Sequence, residues 1–357
     1  MNRQRAGDPG ELEMLDCKVY AANDLRVLEV PVPQPQAGEV LIRLGAAGIC
    51  GSDMHYYFHG GVGSFKIREP LTPGHEASGV VSATGAGVTR LKPGDRIAIN
   101  PSRWCGRCAG CREGRENLCS NMKFLGSASV FPHMQGMFCE YFVMPERQCV
   151  PVTADVSLEE IAMSEPLSVA LHSASRAGNL MGKRVLITGS GTIGCMMVLA
   201  ARLGGAAHIA ITDVVDHPLD VAREVGADQT VRTDQLAAGT RLSEVIGEPD
   251  VAFEVSGAVS ALASALESVR RGGIIVQVGT LPPEGVFILA NQIMARELDV
   301  RGSFRFGNVF ETAVQAIANR RVDVRPVLSG THPLTEAAAA ITLARDKTRS
   351  MKVQLRP

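Results

Sequence analysis

The sequence carries no excess of charge of either sign: 36 Lys and Arg stand against 37 Asp and Glu over 357 residues, a formal net charge of −1. No long block of one sign breaks that balance, so no bulk field draws the chain to nucleic acid or to an acidic membrane surface. Long apolar runs are missing as well; stretches such as 195–201 and 286–290 fall far short of the roughly 20 residues that span a bilayer. The opening MNRQRAGDPG holds no apolar segment of the kind a signal peptide needs, and the expected compartment is the cytoplasm. There is neither an internal repeat nor a low-complexity tract, which excludes a solenoid. What is present is a globular composition. With 45% hydrophobic and 20% charged residues the chain can bury a sizeable core, and its length corresponds to two or three domains.

Up to about residue 165 the chain is rich in Gly and Pro and reads as short strands with turns, at 39–44, 78–82 and 96–99. The rhythm changes after Lys183. A β-branched run at 185–188 leads into a Gly-rich turn and then into 195–203, which has helical composition and length. Further strands are expected at 208–212, 251–255 and 274–278, with helices over 219–225 and 261–269 between them. Strands alternating with helices predict an α/β fold with a parallel sheet covered on both faces. From about residue 306 the pattern gives helices at 311–318 and 335–344 and a closing strand at 352–355.

The turn Gly189-Ser-Gly-Thr-Ile-Gly194 has the G-x-G-x-x-G spacing. Alone the string is weak, but here it follows a strand and opens a helix, where bare backbone can approach a pyrophosphate and free N–H groups meet its charge. Gly189, Gly191, Thr192, Ile193 and Gly194 are therefore candidate coenzyme contacts. Asp213 ends the next strand, nineteen residues after Gly194, where a carboxylate accepts hydrogen bonds from an adenosine ribose and repels a 2′-phosphate. That favours NAD over NADP. Ser256, Val278 and Gly279 lie at the ends of later strands, on the edge where open sheets bind ligands. The bland alternative is a tight turn with Asp213 as a strand-end cap.

Four of the nine cysteines fall between residues 105 and 119, as Cys105-x2-Cys108-x2-Cys111-x7-Cys119. In a reducing compartment that clustering points to metal, and a zinc ion held by four sulfurs has no open position and only stabilises its loop. An iron–sulfur cluster is the rival. A second, dispersed set consists of Cys50-Gly-Ser-Asp-Met-His55, Gly74-His75-Glu76 and Glu165. One sulfur, one imidazole and a carboxylate leave a zinc position free, where a hydroxyl becomes acidic and its carbon gives up hydride. Ser52 is placed to take the proton, His55 to pass it on, and Asp53 to fix the tautomer of His75. Singly, each of these is an ordinary buried or surface residue; together with the nucleotide motif they form a site.

Gly74-His-Glu-x2-Gly79-x5-Gly85-x2-Val88 resembles the zinc signature of the medium-chain dehydrogenases, the zinc-dependent alcohol and polyol dehydrogenases, and the resemblance covers nearly the whole chain. It implies a catalytic domain of GroES-like fold over residues 1–165 and 306–357, carrying the four-cysteine lobe at 100–122 and interrupted by a Rossmann domain at 166–305. Within the family, Cys50-Gly-Ser-Asp-x-His-Tyr56, the Glu165–His172 stretch and Phe304-Arg-Phe306 are similar to the sorbitol dehydrogenase branch. That likeness implies a catalytic zinc on Cys50, His75 and Glu76, with Glu165 beside it or as a ligand, and polyol contacts from Tyr56 and Arg305. Phe306 stands where the branch usually carries Tyr. Residues 124–136 and 55–65 are most similar to L-idonate-oxidising members, which implies oxidation of L-idonate to 5-ketogluconate with Arg305 on the hydroxyls or carboxylate.

The expectation is thus an NAD-dependent enzyme with two zinc ions per chain, one catalytic and one structural, acting on a small sugar acid or polyol. By the same analogy it is a homodimer or homotetramer. Sorbitol, xylitol or L-threonine oxidation is the alternative within the class. A non-catalytic, zinc-stapled nucleotide sensor is the alternative outside it, but it has no need for Cys50, Ser52, His55, His75 and Glu165 together. A nucleic-acid zinc ribbon has only Arg103, Arg107, Arg112 and Arg115 to offer in local charge.

Overall fold

The structure, a computed structural model, describes residues 12–288 and 290–357. The opening decapeptide, and Leu289 in the 286–290 run, lie outside the described residues. Two sheets organise the molecule. The first has seven strands, in the order Cys149–Pro151, Arg96–Ile99, Glu76–Thr84, Glu39–Gly48, Lys352–Arg356 and Leu328–Pro333, with Tyr141–Pro145 also pairing with Glu39–Gly48. The last two strands pair in parallel and the other pairs are antiparallel. The end of the chain thus returns to the middle of the first sheet, with Gln354 opposite Gly48. Ile42, Leu44, Val81, Ile97, Val353 and Leu355 are buried together there.

The second sheet has six parallel strands in the order Gln229–Arg232, His208–Asp213, Arg184–Thr188, Val251–Glu254, Ile274–Gln277 and Asp299–Gly302. The chain adds two strands on one side of Arg184–Thr188 and then crosses to the other side. The reversal opens a crevice at the carboxyl ends of Arg184–Thr188 and Val251–Glu254, the edge at which such sheets take ligands. All four residues after Arg184 in that strand are buried, as is every residue from Gly194 to Ala201 in helix Thr192–Leu203. Both elements are covered on all sides, which is why they read as unbroken apolar runs.

The expected strands and helices all form. Sequence reading missed the two edge strands of the parallel sheet, Gln229–Arg232 and Asp299–Gly302, because a half-exposed edge needs little apolar character. It also missed Leu328–Pro333, the hairpin of Glu13–Ala21 with Asp24–Pro31, and the helices Gly51–His59 and Ser164–Ala177. Helix Phe310–Ala318 serves both halves. Ala313 and Ile317 pack with Leu167 and Ala170, whereas Phe310 and Val314 pack with Ala98, Val152 and Phe306. A division at 305/306 therefore passes beside a helix shared by two cores. Among the described residues no helix is long and apolar enough to cross a membrane.

Candidate active site

Strand register assembles the first cluster. Glu76 opens the strand Glu76–Thr84 opposite Gly48, and Cys50, two residues after Gly48, caps helix Gly51–His59. The ligand atoms of Cys50, His75 and Glu76 consequently lie within 4.8 Å of one another. A side chain at position 48 has no room, since a Cβ there would stand 2.2 Å from Glu76 Oε2. Asp53, fully buried, joins the two segments: its Oδ2 accepts the Cys50 N–H at 2.9 Å and its Oδ1 accepts the Gly74 N–H at 3.0 Å. His75 Nδ1 stands 3.7 Å from Asp53 Oδ1, beyond hydrogen-bond reach. Asp53 thus orients His75 through the backbone of Gly74, not through the imidazole as expected.

Behind this cluster lies a cation that sequence reading missed. Lys352 Nζ donates to Glu76 Oε2 at 2.6 Å and to Ile49 O at 2.9 Å, with both side chains of the ion pair buried. Burial would lower Lys352, but the charges of Glu76, Cys50 and Glu165 hold it above its ordinary value. Lysine in a closing strand reads as solvent-facing; the first four residues of this strand are all buried, so alternation offered no warning.

Burial pushes the Cys50 thiol up to about 12, with Glu76 adding to the rise and Lys352 opposing it. Burial also pushes Glu165 up to about 8, against the pull of His75. A buried group of acids whose charged forms are disfavoured is short of positive charge, the condition that a dication relieves. Sulfur, nitrogen and oxygen donors suit zinc. Glu165, buried in the first turn of Ser164–Ala177, is felt electrostatically by this group but does not join its mutually close donor atoms.

Ser52 is half-buried and His55 exposed, and no hydrogen bond joins them among the described residues. Tyr56 is buried and its hydroxyl accepts the Ala128 N–H at 2.9 Å. Arg305 has a left-handed backbone, φ 51°, which residues with side chains seldom adopt. Its guanidinium stacks on Phe124 at 4.2 Å, and Phe124 in turn meets the His75 ring at 5.3 Å. Burial lowers Arg305, while Glu165 and Tyr56 oppose that shift. Among the described residues it makes no ion pair or hydrogen bond. Phe306 packs on Phe310 in the core shared with Ala98 and Val152.

The crevice of the parallel sheet shows why its glycines differ. Gly189 has φ 93°, and Gly194 has no space for a Cβ, which would stand 2.0 Å from Gly189 O. At Gly191 a Cβ would meet nothing within 4 Å. Internal packing explains the outer two glycines, and the middle one leaves open room at a helix start, as a pyrophosphate requires. Thr192 Oγ1 donates to Met351 O at 3.4 Å. Asp213 Oδ2 accepts from Ser190 N–H and Oγ at 2.8 and 3.0 Å, and Oδ1 from Val214 N–H at 2.7 Å, so the carboxylate is fixed at the strand end. Glu254, another residue whose role was not foreseen, accepts from Ser256 Oγ at 2.6 Å and Gly257 N–H at 2.9 Å, while its carbonyl receives the N–H groups of Val278 and Gly279. It holds Ser256, Val278 and Gly279 together along the crevice.

The four sulfurs of Cys105, Cys108, Cys111 and Cys119 also lie within 4.8 Å of one another. Sulfurs around one zinc at about 2.3 Å stand about 3.8 Å apart, whereas a multi-iron cluster spreads its cysteines further. Backbone N–H groups of Cys105 and Asn121 reach the Cys119 sulfur at 3.3 Å each, and N–H groups of Cys111 and Ser120 hold Cys108 down to about 6. Cys111 is instead pushed up to about 12, by burial first and the Cys108 side chain second, so the four sulfurs together lack the positive charge that a dication supplies. The lobe is tied to the rest by Asn117, whose Nδ2 donates to Phe304 O at 2.9 Å.

Residues 36–154 match the alcohol dehydrogenase GroES-like domain and residues 192–319 the zinc-binding dehydrogenase domain. The chain is 40% identical to the L-idonate 5-dehydrogenase (NAD(P)(+)) of Escherichia coli, over 97% of this chain and 99% of that one. It is 37% identical to the sorbitol dehydrogenase of Gallus gallus, over 95% of each. The crystal structure of L-idonate 5-dehydrogenase from Escherichia coli superposes with a TM-score of 0.90 at 38% identity, covering 98% of this chain and 99% of that chain.

Proposed function

The chain belongs to the zinc-dependent medium-chain dehydrogenase family, and from that premise we propose that it oxidises L-idonate to 5-ketogluconate with NAD. Zinc and a nicotinamide coenzyme are common to this family; when bound, the metal supplies a Lewis acid that acidifies the substrate hydroxyl and the coenzyme accepts hydride. Cys50, His75 and Glu76 are the residues to hold that ion, with Glu165 beside them. The four-cysteine lobe would hold a second, purely structural one. Ser52 Oγ accepts the hydroxyl proton as it releases its own, and the exposed His55 takes up the released proton and passes it to solvent. Asp213, already fixed by four hydrogen bonds, faces the adenosine ribose and opposes a 2′-phosphate.

The observation that carries the choice of a sugar acid is Arg305: a half-buried guanidinium stacked on Phe124, which itself meets the His75 ring, with no ion pair or hydrogen bond among the described residues. Such a group binds a carboxylate well. The edge strand Asp299–Gly302, with Val300 exposed and Met294 and Phe287 exposed nearby in sequence, supports a homo-oligomer. All nine cysteines are unpaired, which supports a reducing compartment, the cytoplasm.

The test measures NAD⁺ reduction with L-idonate, D-gluconate, sorbitol, xylitol and L-threonine, for the native protein and for Arg305→Met. L-idonate is expected to be preferred, and the substitution to lower its kcat/KM by about 10–100-fold, the worth of a charge-assisted hydrogen bond, with less effect on uncharged polyols. A preference for sorbitol, or equal losses on all substrates, refutes the assignment.

A further inference from the structure

Helix Gly51–His59 carries His55 and His59 one turn apart, both exposed. Side chains at i and i+4 lie on one helix face, and here the ring centroids stand 5.6 Å apart with planes inclined at 41°. Two imidazoles on one ion at about 2.1 Å place their centroids about 5 Å apart, close to the 5.6 Å separation of His55 and His59. Neither ring has a hydrogen-bond or carboxylate partner among the described residues.

The platform beneath them is firm. Gly60 closes the helix in the left-handed conformation, φ 64°, with its N–H on Tyr56 O at 3.0 Å, and Tyr56 is itself buried and fastened to Ala128. Partial loss of solvent around its ring, and then the neighbouring His59, hold His55 below its ordinary value, which leaves the ring neutral and able to ligate although the residue is exposed. The cluster of Cys50, His75 and Glu76 does not include either ring.

We infer that His55 and His59 form a separate, exchangeable site for a borderline transition-metal dication such as Zn²⁺, completed by water. Cu²⁺ binds there more tightly than Zn²⁺, and Mg²⁺ or Ca²⁺ does not compete, because imidazole suits the former ions and oxygen donors the latter. The functional consequence rests on the proton route proposed above. An ion on His55 removes the base that delivers the proton to solvent, so free zinc restrains turnover without displacing substrate.

The test uses the zinc-loaded enzyme with added Zn²⁺ alone. Equilibrium dialysis is expected to find one further weakly held ion per chain, and His59→Asn to weaken it at least about tenfold, the loss of a chelating partner. His59→Gln guards against a peculiarity of one replacement. Cu²⁺ in place of Zn²⁺ should show two nitrogen couplings by electron paramagnetic resonance in the native protein and one in the variant. Without added metal, His59→Asn is expected to turn over at the native rate. Equal zinc affinity and identical copper spectra for native and variant proteins overturn the site. Binding as described with no change in kcat upholds the site and overturns the role given to His55 in proton delivery.

Discussion

Replacing Lys352 by methionine isolates the energetic centre of the buried cluster of Cys50, His75 and Glu76. The ammonium lies 2.6 Å from Glu76 Oε2, with side chains 4% and 1% exposed, so no water can take over the solvation of the carboxylate left behind. Removing one partner of a buried pair costs about 3–5 kcal/mol, a large share of the roughly 5–15 kcal/mol that holds a domain folded. Methionine keeps much of the length and apolar contact of lysine, so the loss reports the charge. The melting temperature of metal-depleted protein should fall on the order of 10 °C. The double variant Lys352→Met/Glu76→Leu removes both charges and should recover most of that loss, because an apolar pair of similar volume needs no desolvation. Calorimetry at pH 7 of the native protein, Lys352→Met, Glu76→Leu and the double variant closes the cycle. A shift below about 2 °C for Lys352→Met, or a double variant no more stable than the single, refutes the reasoning.

Asp213→Ser should shift the kcat/KM ratio of NADP to NAD upwards by about tenfold or more, since a carboxylate facing a phosphate costs several kcal/mol; an unchanged ratio by initial-rate kinetics contradicts the coenzyme assignment. On the proposed content of two ions per chain, Cys108→Ser should leave one by elemental analysis and lower the melting temperature; a zinc content equal to that of the native protein refutes the structural site. In metal-depleted protein Glu165 is held up to about 8 by burial, against 4.5 for the free side chain. The folded state therefore binds more protons than the unfolded state between those values, and stability falls as pH rises through that window. Glu165→Gln should flatten this decline in denaturant titrations, and a native protein whose stability is constant from pH 5 to about 8 contradicts the assignment.

The motifs that were legible in the sequence are those whose chemistry depends on local spacing. Four cysteines within fifteen residues, and a glycine turn between a β-branched run and a helix, specify their geometry through the backbone that joins them. Cys50, His75, Glu76 and Glu165 could be grouped by their donor types beside a nucleotide motif, and family likeness supplied the choice of Glu76 as the third ligand. The adjacent helix Gly51–His59 was hidden by its motif: a nine-residue stretch with three aromatic rings and two histidines looks like a list of ligands before it looks like a helix.

Other roles depended on neighbours far away in the chain. Lys352 meets Glu76 only because the last strand returns to lie beside Glu39–Gly48, 304 residues from Gly48, and no local pattern marks that lysine as buried. Glu254 looks like an ordinary strand end until the parallel register sets Gly257 and Gly279 around it. Phe124 links His75 to Arg305 across three separate segments. Sequence alone determined the fold class, the donor types and the glycine turn, because periodicity and short spacing act through the local backbone. Tertiary structure alone decided which charges share a buried environment, because desolvation and Coulomb energy depend on distances in space that chain order does not encode.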